Sequence, residues 1–485
     1  MRFTLRRVSK AKPKRRAGTR ESRLGTGKLG QAAVLESLRS VPNIQAFRGL
    51  RYDLGVVGSL ADVVAPPYDV IDAAQQDALY RRHPKNVVRL ILNRDEPSDS
   101  PKAKYERAGH FLRSWLSDGT LAVENQPMLY VYHQAFTWGG QTFIRRGFLC
   151  RVRLEPFGTG KIYPHEETHS KAKQDRFLLT TATRTNLSPV FGMYPDPDNS
   201  IQMTLDMAVA ATPPIEAKDD LGVAHRLYPL PGAQIQAKVA QMIADRAVYI
   251  ADGHHRYETA CNYRNARQEA GDYHPDCDYV LMMLVGMDDP GLIVLPTHRL
   301  IRGVQPMDQG ELIRRVGACF EVQTFGQGPK AAAGLWEEIE VGGSQEVLGI
   351  FTAKDARWSR LELTAEGMTR MSEIAGEHCD QWRGLGVSIL HRLLLEDCLQ
   401  LKDLPTPKYV HSVEEVIDGL ERGDEVGRDA TGQSGDGQPF QLAAMVMPAT
   451  VKSIEEVSQF GERMPAKSTY FYPKLLSGLV FNPLG

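Results

Sequence analysis

Residues 247–260 read AVYIADGHHRYETA. A short apolar run stops at Asp252-Gly253, and two histidines and an arginine follow at once. The stretch reads as strand, tight turn and helix, with the glycine as punctuation. Such a turn exposes the free amides of the first helical turn, and these favour an anion together with the helix dipole. Gly253 lets a ligand approach the backbone closely. Arg256 can grip phosphate oxygens with two donors, and His254 or His255 can add a donor or carry a proton. Asp252 is placed to cap the helix or to orient an imidazole. Asp252, Gly253, His254, His255 and Arg256 are therefore the expected phosphate-binding set. Two other readings stay open. His254 and Glu258 share a helix face and could hold a metal, although Arg256 would repel it. The imidazoles could also simply satisfy nearby carbonyls at a helix start.

Outward from this turn, YVLMMLVGM (279–287) and LIVLPTHRLI (292–301) read as strands around a DDPG turn. The segments 127–137 and 141–155 form a hairpin about WGGQ. Strands are also expected at 44–52, 86–92 and 188–195, and a double proline makes 61–71 an extended turn. Helices are expected at 72–83, 102–117, 172–183 and 233–245, and 386–400 is strongly amphipathic. The pattern predicts a mixed α/β (α+β) fold. With 485 residues the chain exceeds one core, so two or three domains follow. The divisions are a basic arm over 1–40, a core over 41–302 and an α/β region over 303–485.

A net charge of −1 gives no overall field to draw in nucleic acid or an anionic membrane. The exception is the first 23 residues, with ten basic residues against one acidic. They read as a solvated tail or an arm touching polyanions. No apolar run is long enough to span a bilayer. Cys150, Cys261, Cys277, Cys319, Cys379 and Cys398 are scattered, which suits reduced thiols in a cytoplasmic protein rather than a disulfide framework. Oligomeric state is not legible.

Residues 165–169 read HEETH, the pattern in which two histidines on a helix bind zinc and the glutamate activates water. Pro164 fits a helix start, but no downstream residue falls in an obvious third-ligand position. His165 and Glu166 can instead be catalytic without zinc. Lys173, Arg176, Arg184 and Asn186 follow closely and suit a charged substrate.

The blocks VVAPPYDVI (63–71), PHEETHSKAKQDRFLLTTATRTNLSPVFGMY (164–194), ADGHHRYETA (251–260), DDPGLIVLPTHRL (288–300) and MPAKSTYFYPKLLSGLVFN (464–482) resemble the bacterial and archaeal family labelled domain of unknown function 1015. The resemblance covers roughly residues 41–485. That family carries a leucine-like residue and Ser-Gly-Pro-Lys where this chain has His169 to Lys173, so His169 departs from it and the zinc reading weakens. The DGHHR block is similar to one in the ParB/sulfiredoxin-like superfamily, which includes free serine kinases. The resemblance implies a ParB/sulfiredoxin-like core and a phosphoryl-transfer or phosphate-ester activity on a small metabolite such as serine or phosphoserine. It implies ATP, ADP or pyrophosphate as ligand, with Mg²⁺ and without zinc. On this reading Arg256 and His255 neutralise developing charge, and Glu166 or Asp69 is the general base, with His165 as alternative. Lys173 and Arg176 bind a carboxylate or second phosphate, and Lys467, Ser468 and Tyr470 complete the pocket. The competing expectations are a nucleotide-responsive binding protein and a metallohydrolase.

Overall fold

In the computed structural model the described residues are 44–167, 170–401, 404–423 and 439–485. The basic arm, His169 and most of the Gly/Asp-rich loop expected at 422–438 lie outside them. All described residues belong to one unit, Asn43–Gly485.

The first part of the chain supplies a mixed nine-stranded sheet. Its strands are β1 (Ile44–Gln45), β2 (Leu129–Trp138), β3 (Gln141–Arg153), β4 (Ile162–Pro164), β5 (Val190–Tyr194), β6 (Ile215–Lys218), β7 (Ala224–Leu230), β8 (Val248–Asp252) and β9 (Tyr279–Gly286). The spatial order is β4-β8-β5-β9-β3-β2-β7-β6, with β1 beside β3. β9 is the apolar run YVLMMLVG, buried along its whole length. Its alternate residues divide between two cores: Leu281, Met283 and Val285 enter one, and Val280, Met282 and Leu284 the other. A strand covered on both faces needs that unbroken apolar run, and each such side chain contributes about 1.5–3 kcal/mol. The hairpin β2–β3 closes through Gly139 and Gly140, both at positive φ, the geometry a two-residue turn requires.

A six-stranded sheet follows, from β10 (His298–Ile301), β11 (Phe320–Gln327), β12 (Val347–Thr352), β13 (Arg357–Leu363), β14 (Lys408–Val410) and β15 (Leu442–Val446). Its order is β11-β13-β12-β15-β10-β14. The mixed α/β class is as read. No helix among the described residues is long and apolar enough to cross a membrane.

Three local expectations are corrected. Residues 86–92 are not a strand; Val88–Ile91 is a short helix, started by the Asn86 side chain, whose Oδ1 accepts from the Val88 amide at 2.9 Å. The piece before the diproline is also helical, over Leu60–Val63. His165 and Glu166 do not lie on a helix: they follow β4, and the helix α1 begins afterwards, at Ser170–Thr183. The helical geometry that a zinc-binding HEETH needs is thus absent at its first two residues.

Candidate functional site

β8 pairs in parallel with β4, placing Ile250 opposite Pro164. Two adjacent parallel strands therefore run out at the same sheet edge, where ligands are generally bound in open α/β sheets. β4 delivers His165 and Glu166 there, and β8 delivers Asp252 and Gly253. The helix α2 (His254–Glu269) starts at once, with Gly253 as a left-handed N-cap (φ 88°) and no side-chain cap. The positive φ favours glycine, and a Cβ at Gly253 would meet the Arg256 guanidinium at 2.9 Å and push it aside.

The imidazoles face inward. His165 is fully buried; its Nδ1 lies 2.5 Å from the Ile250 carbonyl and its Nε2 2.8 Å from the Thr469 hydroxyl. His254 packs edge-on against it, and its Nε2 accepts from the His165 amide at 3.3 Å. Burial, and next the charge of His165, press the His254 pKa down to about 3, so this ring is neutral at physiological pH. His254 is committed to the protein interior, which narrows the donor role expected of it. His255 is half-buried on the first turn of α2.

Glu166 Oε1 accepts from the Thr469 amide and lies within reach of the Thr469 hydroxyl, each at 3.0 Å. Burial would raise Glu166, but its neighbours His165, His254 and Lys467 outweigh it and hold it at about 2. Asp252 accepts from the Gly253 amide at 2.7 Å and from Lys474 at 3.1 Å. It thus supports the turn rather than capping the helix. Burial works against its charge, yet Lys474 and Arg256 keep Asp252 well below the usual carboxylate range. Arg256 donates to the Pro189 carbonyl and lies 3.7 Å from Asp252.

The substrate-binding candidates divide. Lys173 pairs with Glu258 at 2.9 Å, on the same helix as the turn. Arg176 is buried, pairs with Asp175, donates to the Ile91 carbonyl at 2.8 Å and lies over the Tyr68 ring at 3.7 Å. Arg184 instead reaches the far end of α2, pairing with Asp272 at 2.8 Å. Asn186 Oδ1 ties the Leu281 amide to the Asn482 side chain, at 3.0 and 2.9 Å. Asp69 has a shielded Oδ1 without a hydrogen-bond partner among the described residues, close enough to add to the rise that burial gives the pKa of Tyr68 and Tyr470. Lys467 is exposed, at φ 60°, and its charge reaches Glu166 and Asp252. Ser468 is turned away to the Pro465 carbonyl.

The closing segment is held by two fully buried arginines that the sequence reading did not single out. Arg145 on β3 donates to the carbonyls of Tyr472 and Pro473, and its neighbour Gln134 takes that of Lys474 at 3.0 Å. Arg299 on β10 holds the Lys467 carbonyl at 3.0 Å. Burial lowers both to about 10, still charged. Lys474 also lies over the Tyr470 ring at 4.1 Å, and that ring stacks on His411 at 3.5 Å.

The model of the family described as protein of unknown function (DUF1015) matches residues 44–388. The chain belongs to that family. The closing segment of the DUF1015 chain, from 464 on, lies beyond the matched range. No curated protein matches. Among solved structures, a mutant free serine kinase in complex with ADP is 13% identical over 64% of this chain and 84% of its own, with a TM-score of 0.30. A conserved hypothetical protein from Pyrococcus furiosus is 14% identical, covering 65% and 89%, at 0.30. SbnI with a C-terminal truncation, from Staphylococcus aureus, is 12% identical, covering 69% and 87%, at 0.31.

Proposed function

We propose that this DUF1015 protein is a phosphoryl-transfer or phosphate-ester enzyme for a small polar metabolite, serine or phosphoserine being the class the family resemblance implies. The observation that carries the reading is the turn itself: the uncapped start of α2 at a sheet edge, with Arg256, Lys474 and Lys467 close by. Amides, dipole and three cations together favour a phosphoryl group. Asp252, gathered by the Gly253 amide and Lys474, holds those donors in place until the phosphoryl group competes for them.

His165, Thr469 and Glu166 form a hydrogen-bonded chain next to this turn, suited to taking a proton from an acceptor hydroxyl. At about 2 Glu166 is a weak base for neutral pH. A phosphate dianion bound beside it raises that pKa, because like charge disfavours ionisation. The ligand would thus strengthen its own base. Mg²⁺ carried on phosphate oxygens needs only one or two protein carboxylates, and Asp252 and Glu166 are the groups that fit. Residues 41–302 would supply the turn, and residues 303–485 the segment that closes it.

The low Glu166 pKa favours a second reading, a nucleotide-responsive protein that binds without turnover. Phosphorus NMR of the protein with ATP, ADP or pyrophosphate, plus serine or phosphoserine, separates the two. Donor turnover or phosphoserine breakdown that Arg256→Ala abolishes supports the enzyme; binding without any change in the phosphorus spectrum supports the switch.

A further inference from the structure

Behind Arg256 lies a cavity of about 40 Å³ between α1 and α2, room for about three waters or one carboxylate group. Helical spacing builds it. On α2, Arg256 and Thr259 are three apart and share a face; on α1, Arg176 and Leu179 do the same. Tyr68 and Val280 contribute further wall.

Three observations define what it can hold. Among the described residues no acidic side chain lines it, whereas Arg176 and Arg256 do; Asp175 and Asp252, the carboxylate neighbours of these arginines, are outside the wall. Thr259 is 2% exposed, and its hydroxyl has no hydrogen-bond partner among the described residues, a cost that a ligand oxygen would remove. The rest of the wall includes the apolar Leu179 and Val280, which suit a short aliphatic stem. Burial pushes the Tyr68 hydroxyl up to about 12, so it stays a donor.

We propose that this cavity is a binding subsite for a small carboxylate, held by Arg256, Arg176, Tyr68 and Thr259. Arg256 borders both this cavity and the phosphate turn, so one substrate carrying a phosphoryl group and a carboxylate a short stem apart would span them. That link rests on the phosphate reading of the turn; the cavity assignment does not.

The test uses the full chain and ¹³C-labelled acetate, with methylammonium as a cation of similar size. Acetate binding followed by its line width should saturate, and methylammonium binding should not. Thr259→Val, which keeps the shape and removes the hydroxyl, and Tyr68→Phe should each weaken acetate about tenfold. Acetate that never saturates, or that binds both variants as well as the parent chain, overturns the proposal. ADP binding to the parent chain reports on the turn separately. Saturable acetate that responds to Thr259→Val, without ADP binding, keeps the cavity and removes the phosphate reading; ADP binding without acetate does the reverse.

Discussion

The hydroxyl of Thr469 lies 2.8 Å from His165 Nε2 and 3.0 Å from Glu166 Oε1. His165 Nδ1 faces the Ile250 carbonyl, which can only accept, so Nδ1 carries the proton. In the neutral ring Nε2 then accepts from Thr469, and Glu166 keeps the Thr469 amide. When the ring is protonated, Nε2 donates and the hydroxyl turns to Glu166. ¹⁵N NMR at neutral pH should show the Nδ1–H tautomer at His165. Thr469→Val should leave that tautomer and cost about 1–3 kcal/mol in urea unfolding; an Nε2–H tautomer would break the chain as described.

Acid should destabilise the protein early. His254, His298 and His391 are lowered from 6.5 to about 3, and His411 to about 4, in each case chiefly by burial. Their folded pKa values lie below the unfolded one, so the unfolded chain binds more protons across that interval. Stability is then level above pH 6.5 and falls as pH drops through it, by about 1.4 kcal/mol per unit for each histidine. Glu166, lowered from 4.5 to about 2, adds its loss only below 4.5. Urea unfolding between pH 7.5 and 5 on the order of these steps should show the decline, and His298→Phe should make it shallower. A flat profile in that range refutes the buried neutral imidazoles.

Gly253→Ala should cost about 1–2 kcal/mol, because φ is 88° and a left-handed backbone penalises a Cβ by that much. The new methyl would also push Arg256 aside, so phosphate affinity should fall about tenfold. Thermal unfolding and calorimetric titration with pyrophosphate measure the two effects.

Arg145→Met should cost about 3 kcal/mol or more in urea unfolding, since it strands the carbonyls of Tyr472 and Pro473 at about 1–3 kcal/mol each. Loosening Lys474 should also release Asp252, raising the carboxyl's pKa in ¹³C NMR titrations.

Periodicity and turn chemistry made much of the fold legible. The unbroken run at 279–286 and the Gly-Gly hairpin have no competing explanation. NVVRLIL misled because a short, mostly apolar stretch looks the same in a strand or a short helix; Asn86, which starts that helix, was the overlooked signal. At the site, the turn was readable because its parts are contiguous. Thr469 and Lys474 reach Glu166 and Asp252 from 303 and 222 residues away, and no spacing rule reports such pairs. Arg184, grouped with Arg176 from the sequence, lies eight positions further on, past the end of α1, where it pairs with Asp272. Arg145 had a faint signal, a charge on the same strand face as the buried Leu149.

The phosphoryl site proposed at the turn from Gly253 to Arg256 depends on Arg256. Calorimetric titration of the parent chain and of Arg256→Ala with ADP and with pyrophosphate tests it most directly. Both ligands should bind the parent, and Arg256→Ala should weaken each at least about tenfold, the loss of a charge-assisted pair. Equal affinity for the parent and the variant would contradict it.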